Sequence, residues 1–486
     1  MTTSLAHLEP ALVWKHFAEL LAIPRPSRHE ERVVAHLKKW AAARKFEAVQ
    51  DKVGNVIVRV PASKGHEKAP TIILQGHMDM VAEKDSSTVF DFEKDPIEVK
   101  IDGDWLIAEK TTMGADNGIG VAAAMAVADD PAGVHGPLEL LVTVDEEAAL
   151  TGASALDGSL LKGRTLINLD SEEDWILFVG CAGGCTTEMT FPLRRAPAPA
   201  GFAAVRVEVK GLKGGHSGLT IHENRGDALK ILARVLGKWG ATHPVLLAAI
   251  EGGNKHNAIP REASAVVQIP SAFLPEARTL AAAVQKDTLA EIAGIDPGLE
   301  IHVHTAIADA AAPADAESTR RVVQALLALP HGVLVMSRDV VGSPETSTNL
   351  AIAQMEGDAV KVISSTRSSI GQALRHGLDQ TNAVVTLAGG TVKEMSAYPG
   401  WKPEMSSKLL AICKGAYKDL NGKEPIVTVI PAGLECGIIG ERMGGGVEMI
   451  SFGPHMQGVH APGERLEIPS VGRFWKFLAA VLAKLT

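Results

Sequence analysis

Four short apolar stretches constrain the fold of this chain most: Val56–Val60, then residues 71–74 (TIIL), 138–144 (LELLVTV) and 165–169 (TLINL). Each is short for a buried helix, and their β-branched content favours strands covered on both faces. Helical signals precede and separate them. Residues 11–21 carry a helix ended by Pro24 and Pro26. Ser27 and Glu30 have the spacing of a capping box for a helix through Val33, Leu37 and Trp40, and residues 116–130 read as an alanine-rich helix. Strand–helix alternation of this kind predicts the α/β class, a three-layer α/β domain with helices on both faces of a mixed sheet.

The character changes near residue 186. Residues 187–191 (TEMTF) and 205–210 (VRVEVK) alternate polar and apolar, as strands with one solvated face do. Leu229, Leu232, Val235 and Leu236 mark an amphipathic helix, and strand–helix alternation returns between residues 266 and 392. A helix over 405–417, buried strands over 425–430 and 447–452 and a last helix over 471–485 then resume the first pattern. The expected organisation is one α/β domain over 1–186 plus 398–486, interrupted by an inserted α+β domain over 187–397. With 486 residues and roughly 150 per domain, the chain has room for both.

Composition narrows the partners. The net charge of −9, without a long basic block, argues against a nucleic-acid surface. The longest small-apolar run, residues 121–128, falls far short of the ~18 residues that span a bilayer. The N-terminus lacks a basic segment followed by an apolar core, so the expected location is cytoplasmic, with no membrane partner. Four cysteines make no disulfide framework, and Cys181 and Cys185 in CAGGC read as buried free thiols.

One strand ends oddly. VTVDEEAAL places three adjacent acids, Asp145, Glu146 and Glu147, after an apolar run, and carboxylates crowded near a sheet end need a cation or hydrogen-bond donors. Other apolar runs end on metal-ligand residues too. His77 and Asp79 in QGHMD lie two apart and so point the same way from a strand. Asp116 stands where the glycine-rich GADNGIG enters a helix, a place where Asp usually serves as an N-cap. Asp170 closes LINLD, and His455, His460 and Glu464 lie in GPHMQGVHAPGE after the strand at 447–452. In open α/β sheets, sites gather beyond the carboxyl ends of the strands. Mixed His and carboxylate donors suit zinc, with manganese or cobalt in its place, and two such ions form a hydrolytic clamp.

The ordered set GHMDMV, GADNGIG, VDEE, NLDSEE, KGGHSG and HAPGERL resembles the co-catalytic dizinc peptidases of the aminoacylase and carboxypeptidase G type, and within them the aminoacyl-histidine dipeptidases. The likeness runs from residue 27 to the C-terminus. It implies a catalytic domain holding two metals, with the inserted domain as a lid. His77 and His460 then resemble the imidazole ligands, one per metal, Asp116 the bridging carboxylate, and Glu147 and Asp170 the remaining ligands. Asp79 matches the acid that orients His77, and Glu146 the general base; Asp145 is structural and His455 a loop histidine with local hydrogen bonds. Five acids against two divalent ions leave a charge of about −1 (−5 + 4).

The same likeness gives His216 in KGGHSG the stabilisation of the oxyanion, Asn257 in GGNKHNAIPRE a place near that oxygen or the substrate carboxylate, and Arg367 in SSTRSS the grip on that carboxylate. The implied activity is hydrolysis of Xaa-His dipeptides. A tripeptidase, a broad dipeptidase and an N-acyl-amino-acid deacylase are the alternatives of the same fold. A binding protein that had lost turnover would lack a ligand or the base, and all seven residues are present; a ligase would need a phosphate loop the sequence does not show. Small-lid relatives dimerise, and this longer insert leaves monomer and homodimer both open.

Overall fold

The computed structural model describes residues 4–292, 294–305 and 311–486. The chain divides into two compact units. One comprises residues 1–180, 401–430 and 434–486, the other residues 181–400 and 431–433.

The first unit is built on an eight-stranded sheet in the order Glu47–Gln50, Val56–Val60, Leu138–Thr143, Ile72–His77, Thr165–Asn168, Glu448–Ser451, Ile176–Cys181, Ile426–Ile430. Its four middle strands, from Leu138–Thr143 to Glu448–Ser451, are parallel, and antiparallel neighbours flank them. Every residue of Ile72–His77 and Leu138–Thr143 is buried, as strands covered on both faces require. The register pairs His77 with Thr143, Gln75 with Asn168, and Asn168 with Ser451. All four carboxyl ends therefore open on one edge.

The helix Ala11–Leu21 buries Val13, Trp14, Phe17, Leu20 and Leu21, a stripe at helical spacing. It packs on Ala115–Asp129, which is buried along nearly its whole length. Alanine and glycine let that helix approach closely: a Cβ at Gly120 would stand 2.5 Å from the Leu169 carbonyl at the end of a strand. The last helix, Ile468–Lys484, joins the same core through Phe474, Phe477 and Leu478. Among the described residues no helix is long and apolar enough to cross a membrane.

One local expectation fails. The helix Glu31–Ala43 begins without a capping box: Ser27 Oγ instead donates to Asp79 Oδ2 at 2.8 Å, and Glu30 Oε1 accepts the N–H groups of Arg28 and Asp145, both at 2.9 Å. Tertiary partners took both side chains. Nor is Asp116 an N-cap. Gly114 holds that position, and Asp116 and Asn117 have non-helical dihedrals inside the first turn.

The second unit is a nine-stranded sheet of antiparallel pairs running from Glu300–His304 through Phe202–Lys210 and Ala359–Ser368 to Thr391–Tyr398. Its core is separate. The helix Ala228–Gly240, capped by Asp227 on the Lys230 N–H at 3.0 Å, buries Leu229, Leu232, Val235, Leu236 and Trp239 there. The four cysteines are buried and form no disulfide among the described residues.

Candidate metal centre

The parallel strands carry the donors to a common edge. His77 is the last residue of its strand, Asp170 follows Asn168 by two, and Glu146 and Glu147 follow Thr143 across a left-handed residue, Asp145, at φ +48°. Asp145 is held there by Arg28 and by the Thr151 hydroxyl. That reversal starts the short helix Glu146–Ala149, and it resolves the problem of three adjacent acids, since Glu146 and Glu147 leave on a helical turn.

Asp116 lies at the middle. Its Oδ1 is 2.9 Å from His77 Nε2 and its Oδ2 is 3.1 Å from His460 Nε2. Asp170 Oδ1 approaches His77 Nε2 at 3.3 Å, and Glu147 Oε2 approaches His460 Nε2 at 2.9 Å. Two donor triads result, His77–Asp116–Asp170 and Asp116–Glu147–His460, each with its ligating atoms within 4.8 Å of one another, and both contain Asp116. Glu146 joins His77 and Glu147 in a third group of the same span.

Asp79 supports the cluster from behind. Its two oxygens accept the N–H groups of Glu146 and Glu147, at 3.0 and 3.2 Å, so it caps the helix that aims both glutamates. It faces His77 Nδ1 at 3.3 Å, an ion-pair approach whose angle is poor for a hydrogen bond. Burial acts to raise the Asp79 pKa, but His77, the Glu146 N–H and Ser27 outweigh it and hold the carboxyl at about 2.

The electrostatics show what the donors need. Burial, reinforced by neighbouring acids, pushes Asp170 and Glu146 well above the usual carboxylate range, and Glu147 upward. Burial opposes protonation of His77, yet Asp170 and Asp116 raise its pKa well above normal. Hydrogen bonds to Asp116 and Glu147 raise His460 to about 11. Without a cation, protons must offset the crowded acids. Divalent ions would offset the same charge, and two imidazoles with three carboxylates are a donor set such ions accept. The residues fit a metal pair.

His77, Asp79, Asp116, Glu146, Glu147, Asp170 and His460 thus come together in the first unit. His455 stays outside: its N–H donates to Ser470 Oγ at 2.9 Å and its ring contacts Gln457 and Trp105. His216, Asn257 and Arg367 belong to the second unit. His216 Nδ1 accepts the N–H groups of Gly218 and Leu219, both at 3.2 Å, which leaves the proton on Nε2. Burial, followed by the charge of Arg367, lowers its pKa, so the ring is a neutral donor. The Asn257 carbonyl accepts the Ser217 N–H at 2.8 Å. Arg367 Nη1 donates to the Tyr398 hydroxyl at 3.0 Å, while its Nε, buried, has no partner among the described residues.

Three buried charged groups beside the cluster escaped the sequence reading. Arg25 sits in IPRPS, where flanking prolines suggest only a turn. Glu464 lies in the His460 motif without an assigned role. Glu435, fully buried, accepts hydrogen bonds from Gln75 Nε2 and Thr143 Oγ1, both at 2.6 Å, and burial raises it to about 7. No sequence signal marks Arg25: the room that Gly114 and Gly118 leave for it shows only in the structure.

A mixed sheet with two donor triads sharing a carboxylate beyond its strand ends defines a place for a metal-dependent hydrolase. The chain belongs to the peptidase family M20/M25/M40, whose model matches residues 73–484, and that family is metal-dependent. It is 38% identical over 483 residues to the cytosol non-specific dipeptidase of Escherichia coli (strain K12), covering 99% of each chain. It superposes on the crystal structure of aminoacylhistidine dipeptidase from Vibrio alginolyticus with a TM-score of 0.95 and 38% identity, covering 99% of this chain and 98% of that one. The aminopeptidase PepT of Bacillus cereus, at 16% identity and a TM-score of 0.57 over 98% of this chain and 99% of that one, shares the fold.

Proposed function

We propose that the chain is a dipeptidase acting on Xaa-His dipeptides, with His77, Asp116 and Asp170 holding one metal and Asp116, Glu147 and His460 the other. The observation that carries this reading is the pair of triads meeting at Asp116. Zinc is the proposed metal, with manganese and cobalt as substitutes. A bound pair would lend Lewis acidity to the scissile carbonyl and the attacking water.

The rest falls to side chains. Glu146 takes a proton from the attacking water and returns one to the leaving amine. Asp79 keeps Glu146 and His77 aimed. The likeness in motifs supports the remaining roles. His216, a neutral imidazole with its proton on Nε2, donates to the developing oxyanion, with Asn257 close to that oxygen or to the substrate carboxylate. Arg367 grips the carboxylate. In this reading the interrupted unit is catalytic, the inserted one is its lid, and the enzyme works in the cytoplasm, as the name of the Escherichia coli relative suggests.

That relative's name, a non-specific dipeptidase, favours a second reading in which Xaa-His is one substrate among many dipeptides. Metal analysis of the purified protein with a panel of Xaa-His dipeptides, other dipeptides, tripeptides and N-acetylated amino acids separates these. The expected result is two metals per chain and turnover of dipeptides, abolished by a chelator and restored by zinc, manganese or cobalt. Hydrolysis of N-acetylated amino acids alone, or no turnover with both metals bound, would overturn the proposal.

A further inference from the structure

Arg25 and Glu464 are each 1% exposed, and neither belongs to a donor triad. A buried guanidinium and a buried carboxylate are costly unless their hydrogen-bonding capacity is used, so what they bond to is informative. Arg25 Nη1 donates to the carbonyls of Met78, at 3.0 Å, and Asp79, at 2.9 Å, and Nη2 donates to the carbonyl of Gly114. Glu464 Oε2 accepts the N–H groups of Met113, at 2.6 Å, and Gly114, at 3.0 Å, and Oε1 accepts that of Ala115, at 2.8 Å.

All six bonds end on two loops, the one that follows His77 and the one that leads into Asp116. Glu464 itself lies four residues after His460, in a segment tied back by the Gly463 N–H to the Ala108 carbonyl at 3.0 Å. Three loops, each carrying a donor of the centre, are thus fastened by two side chains. His77 belongs to one triad, His460 to the other, and Asp116 to both.

The glycines of GADNGIG make room for this. A Cβ at Gly114 would stand 2.6 Å from Arg25 Nη2, and one at Gly118 would stand 2.5 Å from the same atom. Gly114 also holds φ +68°, where a side chain is strained. This glycine-rich loop receives a guanidinium from its own chain.

We propose that Arg25 and Glu464 are a positioning pair that sets the separation of His77, Asp116 and His460, and with it the capacity of the centre for two metals. The inference rests on the metal reading above. Lysine at 25 keeps the charge but has a single nitrogen, which does not reproduce a fork reaching three carbonyls. Glutamine at 464 keeps the shape but turns an N–H group toward backbone donors.

The test uses R25K and E464Q in the full-length protein, titrated with zinc against a chelating dye and with cobalt followed by visible absorption. Wild type is expected to bind two equivalents. Each variant is expected to bind its second equivalent at least tenfold more weakly and to show altered cobalt bands. Thermal melting of the metal-free forms runs alongside. A variant with a lower melting temperature but wild-type stoichiometry, affinity and cobalt spectrum would make the pair ordinary scaffolding and overturn the proposal. Should R25K fail to fold, E464Q decides by the same readings. A wild-type protein that takes up no metal would overturn the metal reading and this inference with it.

Discussion

Metal binding to this centre must release protons, and the structure sets how many. In the metal-free protein His460 titrates near 11, and His77 is raised well above its ordinary value. Both imidazoles therefore carry a proton at pH 7, and each must lose it to act as a ligand. In the proposed assignment each metal takes one such imidazole, so about one proton leaves per ion, and the acids pushed upward, Asp170 and Glu147, can only add to that. One proton per ion means that affinity falls about tenfold, or about 1.4 kcal/mol, for each unit by which the pH drops. The sign follows from protonation of the metal-free form, so affinity rises with pH throughout the neutral range and levels off only toward the His460 value of about 11. Isothermal titration with zinc at pH 7, in buffers of different ionisation enthalpy, gives the number directly as the slope of observed enthalpy against buffer enthalpy. The expected slope is about two protons per chain for two ions. A slope of zero would refute the reasoning, because it would mean that the imidazoles are neutral before the metals arrive.

Glu146→Gln should keep both metals and lose ~10²-fold or more in turnover, whereas Asp116→Ala should lose metal, as elemental analysis beside a rate assay would show. Gly118→Ala pushes a methyl against Arg25 and Phe17, so denaturant melts should show a loss of roughly 1–3 kcal/mol; an unchanged midpoint would mean that Arg25 moves freely. Trp239→Ala, fully buried in the core of the inserted unit and bonded to the Ala277 carbonyl at 2.9 Å, should cost ~3–5 kcal/mol in that unit while leaving metal stoichiometry at the wild-type value.

The sheet of the first unit was legible where its strands are apolar. The run at 71–74 stops three residues before the ladder does, because Gln75, Gly76 and His77 continue it without an apolar signal. Gln75 can be buried there because Asn168 donates to its oxygen at 2.5 Å and Glu435 accepts from its amide. The residues of the donor cluster were legible as possible donors near strand ends, and only their order along the chain gave them a common address. The residues around them were not legible. Ser27 and Glu30 have the spacing of a local motif and serve distant loops instead, and a buried Arg25 looks in sequence like any arginine between two prolines. Such partners become visible only when the backbone atoms they bond are placed, since carbonyls and amides carry no sequence signature.

The strand Glu448–Ser451 lies between Thr165–Asn168 and Ile176–Cys181, which are separated by only a few residues of chain. During synthesis those two are made early and must wait, with a gap between them, until some 270 further residues have emerged from the ribosome. The filler of that gap is followed nine residues later by His460, so the sheet is closed and the last imidazole delivered by the same late stretch of polypeptide. A half-made chain therefore lacks one of its two triads, and on the proposed assignment the second metal site is complete only when translation is nearly over.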